Sequence, residues 1–595
     1  MSGAHAAKVD DPAVLADLGT RWLAAWPLAL AAWGPTTRLH APVLHDRPCH
    51  EGSFAWFRVD EVEVHIDLPE VLRHGVEDHP VAVLAHELGH HLLAPGDPLG
   101  SVRIAARIKV GLGSRDNLVG LVSNLWSDML INDRLQRQAG VDMAAITKAL
   151  GEPPKDSPLG LLVMRTYEIL WALPRGFLTG EAPAPEGEAM LCARHIRAYA
   201  RDPVAGAAGF AVLVRSLLDA AALEQADQPG APTAGDGDVL TVGCAGDRSG
   251  DGTLPPGAAS DTSLGAPAVH PALDPRVVGD IEQRAPADEA PDGRSADSGG
   301  QDRALSPAEL HAVLVAIGRP TSLESVAMAW YREHASPYLV PFPVREPPVV
   351  ADELLGGLTP WELGDDLGDI DWAGTVTASP VLVPGVTTVR REMLEDESSR
   401  PAPRPVDLDL YLDSSGSMPD PQRTAAPIAL AGAVLALSAL RAGARVQATT
   451  WSGPGQLVGT DGFTGDAEEV LRAVVAHIGG STAFPVDLLA RTHLGWEGAA
   501  PTAPGPTHIA VISDEGVDTM FRRSTKDGSE LDDTAARSLE SAAGGSLVLR
   551  LWPQSLPTVQ HLAGDYDVYV VSTDDDLVPF ARDFSRRTWG RAHGG

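Results

Sequence analysis

The sequence predicts a multidomain chain, with a mainly α-helical N-terminal domain and an α/β C-terminal domain built on a mostly parallel sheet. Three observations carry this. Residues 11–223 alternate helical apolar periodicity with short polar breaks, and one stretch, 61–66, alternates Val62, Val64 and Ile66 with polar neighbours in the manner of a strand. Between Phe210 and Trp330 there is no aromatic residue, and 225–304 is dominated by Gly, Pro, Ala, Ser and Asp. After Arg404 the pattern becomes strand, polar loop and helix in repetition, through VDLDLYLD, RVQATTW, HIAVISD, SLVLRLW and DVYVVS.

These shifts divide the chain into a helical domain over 1–224, a disordered acidic linker over 225–304, a helix and proline-rich connector over 305–400, and the α/β domain over 401–595. The connector opens with SPAE at Ser306, which offers an N-cap, a proline at the first helical position and a carboxylate at the third. Its Trp361 and Trp372 are expected to be packing anchors.

Composition narrows the function classes. The 595 residues carry 80 Asp and Glu against 46 Lys and Arg, a formal net charge of -34, which opposes nonspecific binding to nucleic acid. Cys49, Cys192 and Cys244 are far apart and form no CxxC, so neither a disulfide framework nor a cysteine zinc site is expected. The first residues lack a basic segment leading into an apolar one, and the apolar run 425–440 falls short of the roughly 18 to 20 residues of a membrane span. A cytoplasmic protein without membrane or nucleic-acid partners is expected.

Two motifs carry chemistry. VAVLAHELGHHLLAPGD holds His86, Glu87 and His90 as H-E-x-x-H within a helical pattern. Positions i and i+4 share a helix face, so both imidazoles can meet one Zn²⁺ with Glu87 beside its open position. Zinc would bring the pKa of a bound water toward about 7, and Glu87 would serve as general base. His91, about 100° away around the helix, is expected to be no ligand. For a third ligand, LVSNLWSDMLINDRLQ sets Asn124, Asp128 and Asn132 on one helix face. The alternative is a hydrogen-bonding or solvent-facing polar row, with Asp133 and Asp97 as other ligand candidates.

Together, AHELGHH and SNLWSDMLINDRL resemble the zinc metallopeptidase domain found N-terminal to von Willebrand factor A domains in bacterial proteins, whose motif is HExxH followed by N-x-x-x-D-x-x-I-N. The resemblance implies a zincin-like fold with Asp128 as third ligand, and Asn124 and Asn132 as residues that orient the ligands. It covers residues 60–137 well and the remaining N-terminal domain loosely.

The second motif lies in LYLDSSGSM, where Asp413, Ser415 and Ser417 form D-x-S-x-S after the first strand of the α/β domain. Ligands of open α/β sheets bind at the carboxyl ends of strands, and this oxygen-only set suits Mg²⁺ or another hard cation. A serine-rich N-cap on the next helix is the simpler alternative. The segment resembles the metal-ion-dependent adhesion site of a Rossmann-like von Willebrand factor A domain. That resemblance implies Thr482 and Asp514 as further ligands. Asp407 and Asp409 depart from an apolar strand, so their face is expected to touch solvent or the connector, and Glu515 stands where a small residue is common.

The leading functional expectation is a zinc metallopeptidase whose von Willebrand A domain holds a protein partner or substrate through Mg²⁺. Strand 61–66 is expected to present an edge for substrate β-addition. The alternative is a metal-dependent adaptor with a structural N-terminal zinc, for which the resemblance implies a MoxR-type AAA+ ATPase partner.

Overall fold

The computed structural model describes residues 11–49, 53–58, 61–226, 253–278, 303–319, 321–342, 344–345, 353–395, 404–496, 498–525 and 528–592. They form two compact units, the first reaching to Ser336 and including 419–426 and 475–477, the second holding the remaining residues.

In the first unit, helix α1 (Pro12–Trp33) starts at Asp11, whose carboxylate accepts the Ala13 N–H, with Pro12 supplying a helical φ where no N–H is needed. A small sheet follows from β1 (Val43–His45), β2 (Ala55–Arg58) and β3 (Glu63–Asp67), in the order β1-β3-β2. The strand expected to offer an edge is therefore the central one. β3 pairs parallel with β1 and antiparallel with β2, which leaves it no free backbone row for an incoming strand.

Helices α2 (Leu68–His74), α3 (Pro80–Leu92), α4 (Pro98–Leu112), α5 (Val119–Arg134), α6 (Met143–Leu150), α7 (Pro158–Leu170), α8 (Glu186–Tyr199) and α9 (Pro203–Ala226) complete the helical body. Trp22, Trp26, Phe54, Ile66, Leu84, Leu88 and Ile131 meet in one core that joins α1, the sheet, α3 and α5. Each such side chain contributes about 1.5 to 3 kcal/mol on burial.

Residues 253–278 correct the expected disordered linker over 225–304. They form a folded strap in the first unit, with Leu254, Ala258, Ala259 and Leu264 buried. Side chains from distant helices fix it. Arg103 pairs with Asp261 at 2.6 Å, Arg107 donates to the carbonyls of Ser263, Ala266 and Pro267, and Tyr199 donates to Asp274 at 2.5 Å. Composition missed these anchors because all of them are long-range. The rest of 225–304, apart from 225–226 and 303–304, lies outside the described residues. Helices α10 (Pro307–Ala316) and α11 (Leu323–Ala335) follow, and Ser306 with Glu309 forms the expected capping box.

In the second unit, β4 (Val344–Arg345) pairs with β7 (Arg404–Pro405). Between them in sequence lies a small module in which β5 (Glu353–Pro360) pairs with β6 (Val389–Glu395), accompanied by α12 (Trp372–Ala378). Trp361 is buried there and donates to the Asp366 carbonyl at 2.9 Å, whereas Trp372 is 56% exposed and is no packing anchor.

The α/β body contains β8 (Asp407–Asp413), α13 (Pro427–Arg441), β9 (Val446–Trp451), β10 (Leu457–Gly459), α14 (Ala467–Val475), α15 (Val486–His493) and β11 (Thr507–Ser513). The hairpin β12 (Arg522–Thr525) and β13 (Gly528–Leu531) comes next, then α16 (Thr534–Ser541), β14 (Gly544–Leu549), α17 (Leu556–Ala563), β15 (Asp567–Val570) and α18 (Leu577–Ala592). The six-stranded sheet has the order β10-β9-β8-β11-β14-β15, parallel except for β10. Both faces are covered. Tyr411, Ile509, Val511 and Leu547 pack with Phe484, Leu489 and Val559 on one side, and α13 brings Gly432 onto Leu412 and Ile512 on the other.

Asp407 and Asp409 are buried, so of the two expectations for their face, solvent or the connector, the first does not hold, and the partners they have come from the α/β body. Arg445 donates to Asp407 through its backbone N–H and its guanidinium, and Asp409 holds His493 Nε2 at 2.9 Å and Gln447 Nε2 at 3.0 Å. Paired in this way, the carboxylates are tolerated inside the fold.

One buried carboxylate fixes the turn after α7. Burial alone would push Glu168 up, but the N–H groups of Thr179 and Leu178 and the Arg165 guanidinium hold it below the ordinary glutamate range. Because the folded state holds the lower pKa, this stabilisation is complete above the unfolded value of about 4.3 and is lost as pH falls below it. Glu168→Gln is expected to cost about 2 to 3 kcal/mol at pH 7 and less near pH 3, read from urea melts at both pH values; an equal cost at both would contradict this assignment.

Candidate metal centre

The site in the first unit begins with a helix contact. A Cβ on Gly89 would lie 2.4 Å from Ile131 and 2.9 Å from the Trp33 ring, so only glycine lets α3 and α5 approach this closely. Trp33 Nε1 also donates to the Ala85 carbonyl at 2.7 Å, tying α1 to the same helix. This approach brings Asp128 of α5 between the two α3 histidines. Its Oδ1 lies 3.4 Å from His86 Nε2 and 3.3 Å from His90 Nε2. The three residues form a group able to hold one metal ion, with donor atoms all within 4.8 Å of one another.

The donors suit a cation. His86 Nε2, His90 Nε2 and Asp128 Oδ1 are buried and make no hydrogen bond, a costly condition for polar atoms unless an ion satisfies them. Burial disfavours charge on both His86 and Asp128. Facing each other they nonetheless favour it, so His86 is pushed above the usual imidazole range and Asp128 below the usual carboxylate range. Two imidazoles and a carboxylate are the donor chemistry of zinc. Glu87 is fully buried on the same helix, and His90, 13% exposed at its side chain, marks the open side of the group.

The surrounding residues set the orientation of the ligands. His86 Nδ1 lies 2.7 Å from Asn132 Oδ1, and Asn132 Nδ2 donates to the Tyr167 hydroxyl at 2.9 Å. With Nδ1–H donated to the amide oxygen, Nε2 keeps its lone pair toward the metal position. Asn124 Nδ2 donates to Asp128 Oδ2 at 3.3 Å. Tyr167 was not among the sequence candidates. It is buried, stacks on Trp171 at 4.3 Å, and comes from a helix with no motif to mark it. The other ligand candidates are occupied elsewhere, since Asp133 pairs with Arg137 and Asp97 caps α4 through Gly100 N–H. His91 stacks on Phe57.

In the second unit, β8 and β11 are neighbours from which the chain proceeds in opposite directions across the sheet, and the carboxyl ends at such a reversal are where open α/β sheets ordinarily bind ligands. Asp413 ends β8 and accepts from Ser415 N–H at 2.8 Å and from Ser513 Oγ at 2.5 Å. Ser415 Oγ lies 3.2 Å from Ser417 Oγ, which donates to Asp514 Oδ2 at 2.5 Å. Thr482 packs its methyl group beside Gly516, where a Cβ would lie 2.5 Å from it, and Gly516 N–H donates to Asp514 Oδ1 at 2.8 Å. Burial, with Asp514 adding like charge, raises Asp413 above the usual carboxylate range. A hard cation would relieve that cost, and the all-oxygen donor set fits one. Glu515 turns aside to accept the Trp552 N–H at 2.8 Å.

Comparison of the chain with protein-family models, curated proteins and solved structures finds no match.

If the His86–Asn132–Tyr167 chain orients the metal ligand, Asn132→Ala should weaken zinc binding about 10- to 100-fold and Tyr167→Phe about 10-fold or less. Gly89→Ala should lower both zinc affinity and stability, the latter by about 1 to 3 kcal/mol, by forcing α3 from α5. Competition with a chromophoric chelator and thermal melts read these effects, and wild-type zinc affinity in Asn132→Ala would contradict the role.

Proposed function

We propose that the first unit is a zinc-dependent peptidase and that the α/β unit is a von Willebrand factor A-like domain that binds a protein partner or substrate through Mg²⁺. The observation that carries the peptidase reading is the convergence of three orphaned buried donors beside Glu87. Among the described residues this group has three His or carboxylate members, which leaves a coordination position for water or substrate, whereas structural zinc sites close with four protein ligands.

His86, His90 and Asp128 would hold the zinc, with Asn132 and Asn124 keeping His86 and Asp128 in place. When bound, zinc supplies Lewis acidity toward a peptide carbonyl. Glu87 accepts the proton of the attacking water and returns it to the departing amine nitrogen. Its burial keeps competing solvent from that transfer. In the α/β unit, Asp413, Ser415, Ser417, Thr482 and Asp514 would hold Mg²⁺ and leave room for a partner's carboxylate. Support for this reading comes from the D-x-S-x-S loop, the strand order and the meeting of its loops.

A second reading rests on the near-complete enclosure of His86, Glu87 and Asp128. Zinc would then be structural and the chain a metal-dependent adaptor, with a MoxR-type AAA+ ATPase as the partner that the motif resemblance suggests.

Glu87→Gln separates the two. The peptidase reading expects unchanged zinc content and at least about a 100-fold loss of cleavage on a quenched-peptide library; wild-type cleavage by this variant would defeat it. For the α/β unit, Mg²⁺ at about 100 times its Kd should stabilise by roughly 2.7 kcal/mol, and Asp413→Ala should abolish the shift. A shift that persists in this variant would place the cation elsewhere.

A further inference from the structure

A second group of metal-binding character lies on the small sheet. Alternation along β3 sends Val64 and Ile66 into the core and Glu63 and His65 to the opposite face. Along β2, Phe57 stacks on His91 of α3, so Trp56 and Arg58 stand on the face turned from that helix. Cross-strand register sets Trp56 opposite His65 and Arg58 opposite Glu63. From β1, His45 reaches the same place. The rings of His45, Trp56 and His65 lie 5.3 to 5.4 Å apart, near parallel.

Glu61, Glu63 and His65 each present a donor atom within 4.8 Å of the others. His65 Nε2 is 3.8 Å from a carboxylate oxygen of Glu61 and 3.8 Å from one of Glu63, too far for hydrogen bonds. On the other side of the ring, His65 Nδ1 lies 3.0 Å from His45 Nε2. If Nδ1–H is donated to His45, Nε2 turns a lone pair toward two carboxylates. Donation of the far ring N–H is the usual way a metal-bound imidazole is held. Arg58 lies 2.9 Å from Glu61 and fixes it, and a carboxylate has lone pairs enough to bind a metal as well.

We infer that Glu61, Glu63 and His65 form a second divalent transition-metal site, with His45 and Arg58 as its positioning residues. One imidazole and two carboxylates neutralise a divalent ion and suit Zn²⁺ or Mn²⁺ better than Mg²⁺ or Ca²⁺, because nitrogen is among the donors. The site ties the turn before β3 to the strand. It shares no residue with the His86, His90 and Asp128 group and does not depend on the peptidase reading.

Calorimetric titration of the metal-stripped full chain with Zn²⁺, in excess Mg²⁺ so that the Asp413 cluster of the α/β unit takes no zinc, tests this. Wild type should take about two equivalents, His86→Ala about one, and His86→Ala with His65→Ala none. His86→Ala with Glu63→Gln should bind the remaining ion at least about 10-fold more weakly. Glu63 is 32% exposed at its side chain, so this variant should keep the metal-free melting temperature of His86→Ala, which separates lost ligation from lost folding. The inference is overturned if His86→Ala binds no zinc below about millimolar concentration, or if neither His65→Ala nor Glu63→Gln alters its binding.

Discussion

The contact on which the N-terminal site depends is the close approach of α3 to α5 at Gly89. Ile131 occupies the space that a Cβ would need, and Asp128 is thereby brought against His86 and His90. Removing a carboxylate from water costs several kcal/mol unless a positive charge meets it. Among the described residues Asp128 meets no guanidinium or ammonium; it has two imidazoles and the amide of Asn124. In the metal-free chain a proton on an imidazole can supply the balancing charge, and a divalent cation supplies more of it at the same place. The buried hydrogen-bond chain through Asn132 to Tyr167 would then determine which imidazole nitrogen of His86 faces a bound ion.

The α/β unit solves a similar problem with different chemistry. Asp413 ends β8 and Asp514 directly follows β11, its parallel neighbour, so the loops after the two strands meet. Serine hydroxyls span the two carboxylates. Deeper in the same strand, Asp407 and Asp409 carry their own partners, Arg445, His493 and Gln447, and are structural. The carboxylates of β8 thus divide by their partners, Asp407 and Asp409 held within the sheet by Arg445, His493 and Gln447, and Asp413 buried at its carboxyl end among serines.

Much of this was legible in the sequence where the relation is local. His86 and His90 share a helix face by spacing alone, Asn124, Asp128 and Asn132 form a row on another helix, and Ser306 with Glu309 announces a capping box. The strand–loop–helix repetition likewise reveals the α/β sheet. What escaped depends on long-range placement. No local pattern says that β3 is flanked on both sides, that Tyr167 on α7 completes the chain from His86, or that Arg445 pairs with Asp407 and His493 with Asp409. The strap over 253–278 was obscured for the same reason, because its composition is that of a linker and its anchors, Arg103, Arg107 and Tyr199, lie far away in sequence. Trp372 shows the reverse error, a large aromatic assumed to be buried that the chain leaves at the surface.

The most direct test of the central claim, an open three-ligand zinc site on α3 and α5, is an anomalous difference map recorded at the zinc absorption edge from crystals grown with zinc. The account predicts a peak bonded to His86 Nε2, His90 Nε2 and Asp128, with its fourth position held by solvent and facing Glu87. Absence of a peak between these residues, or a peak closed by a fourth protein side chain, would contradict it.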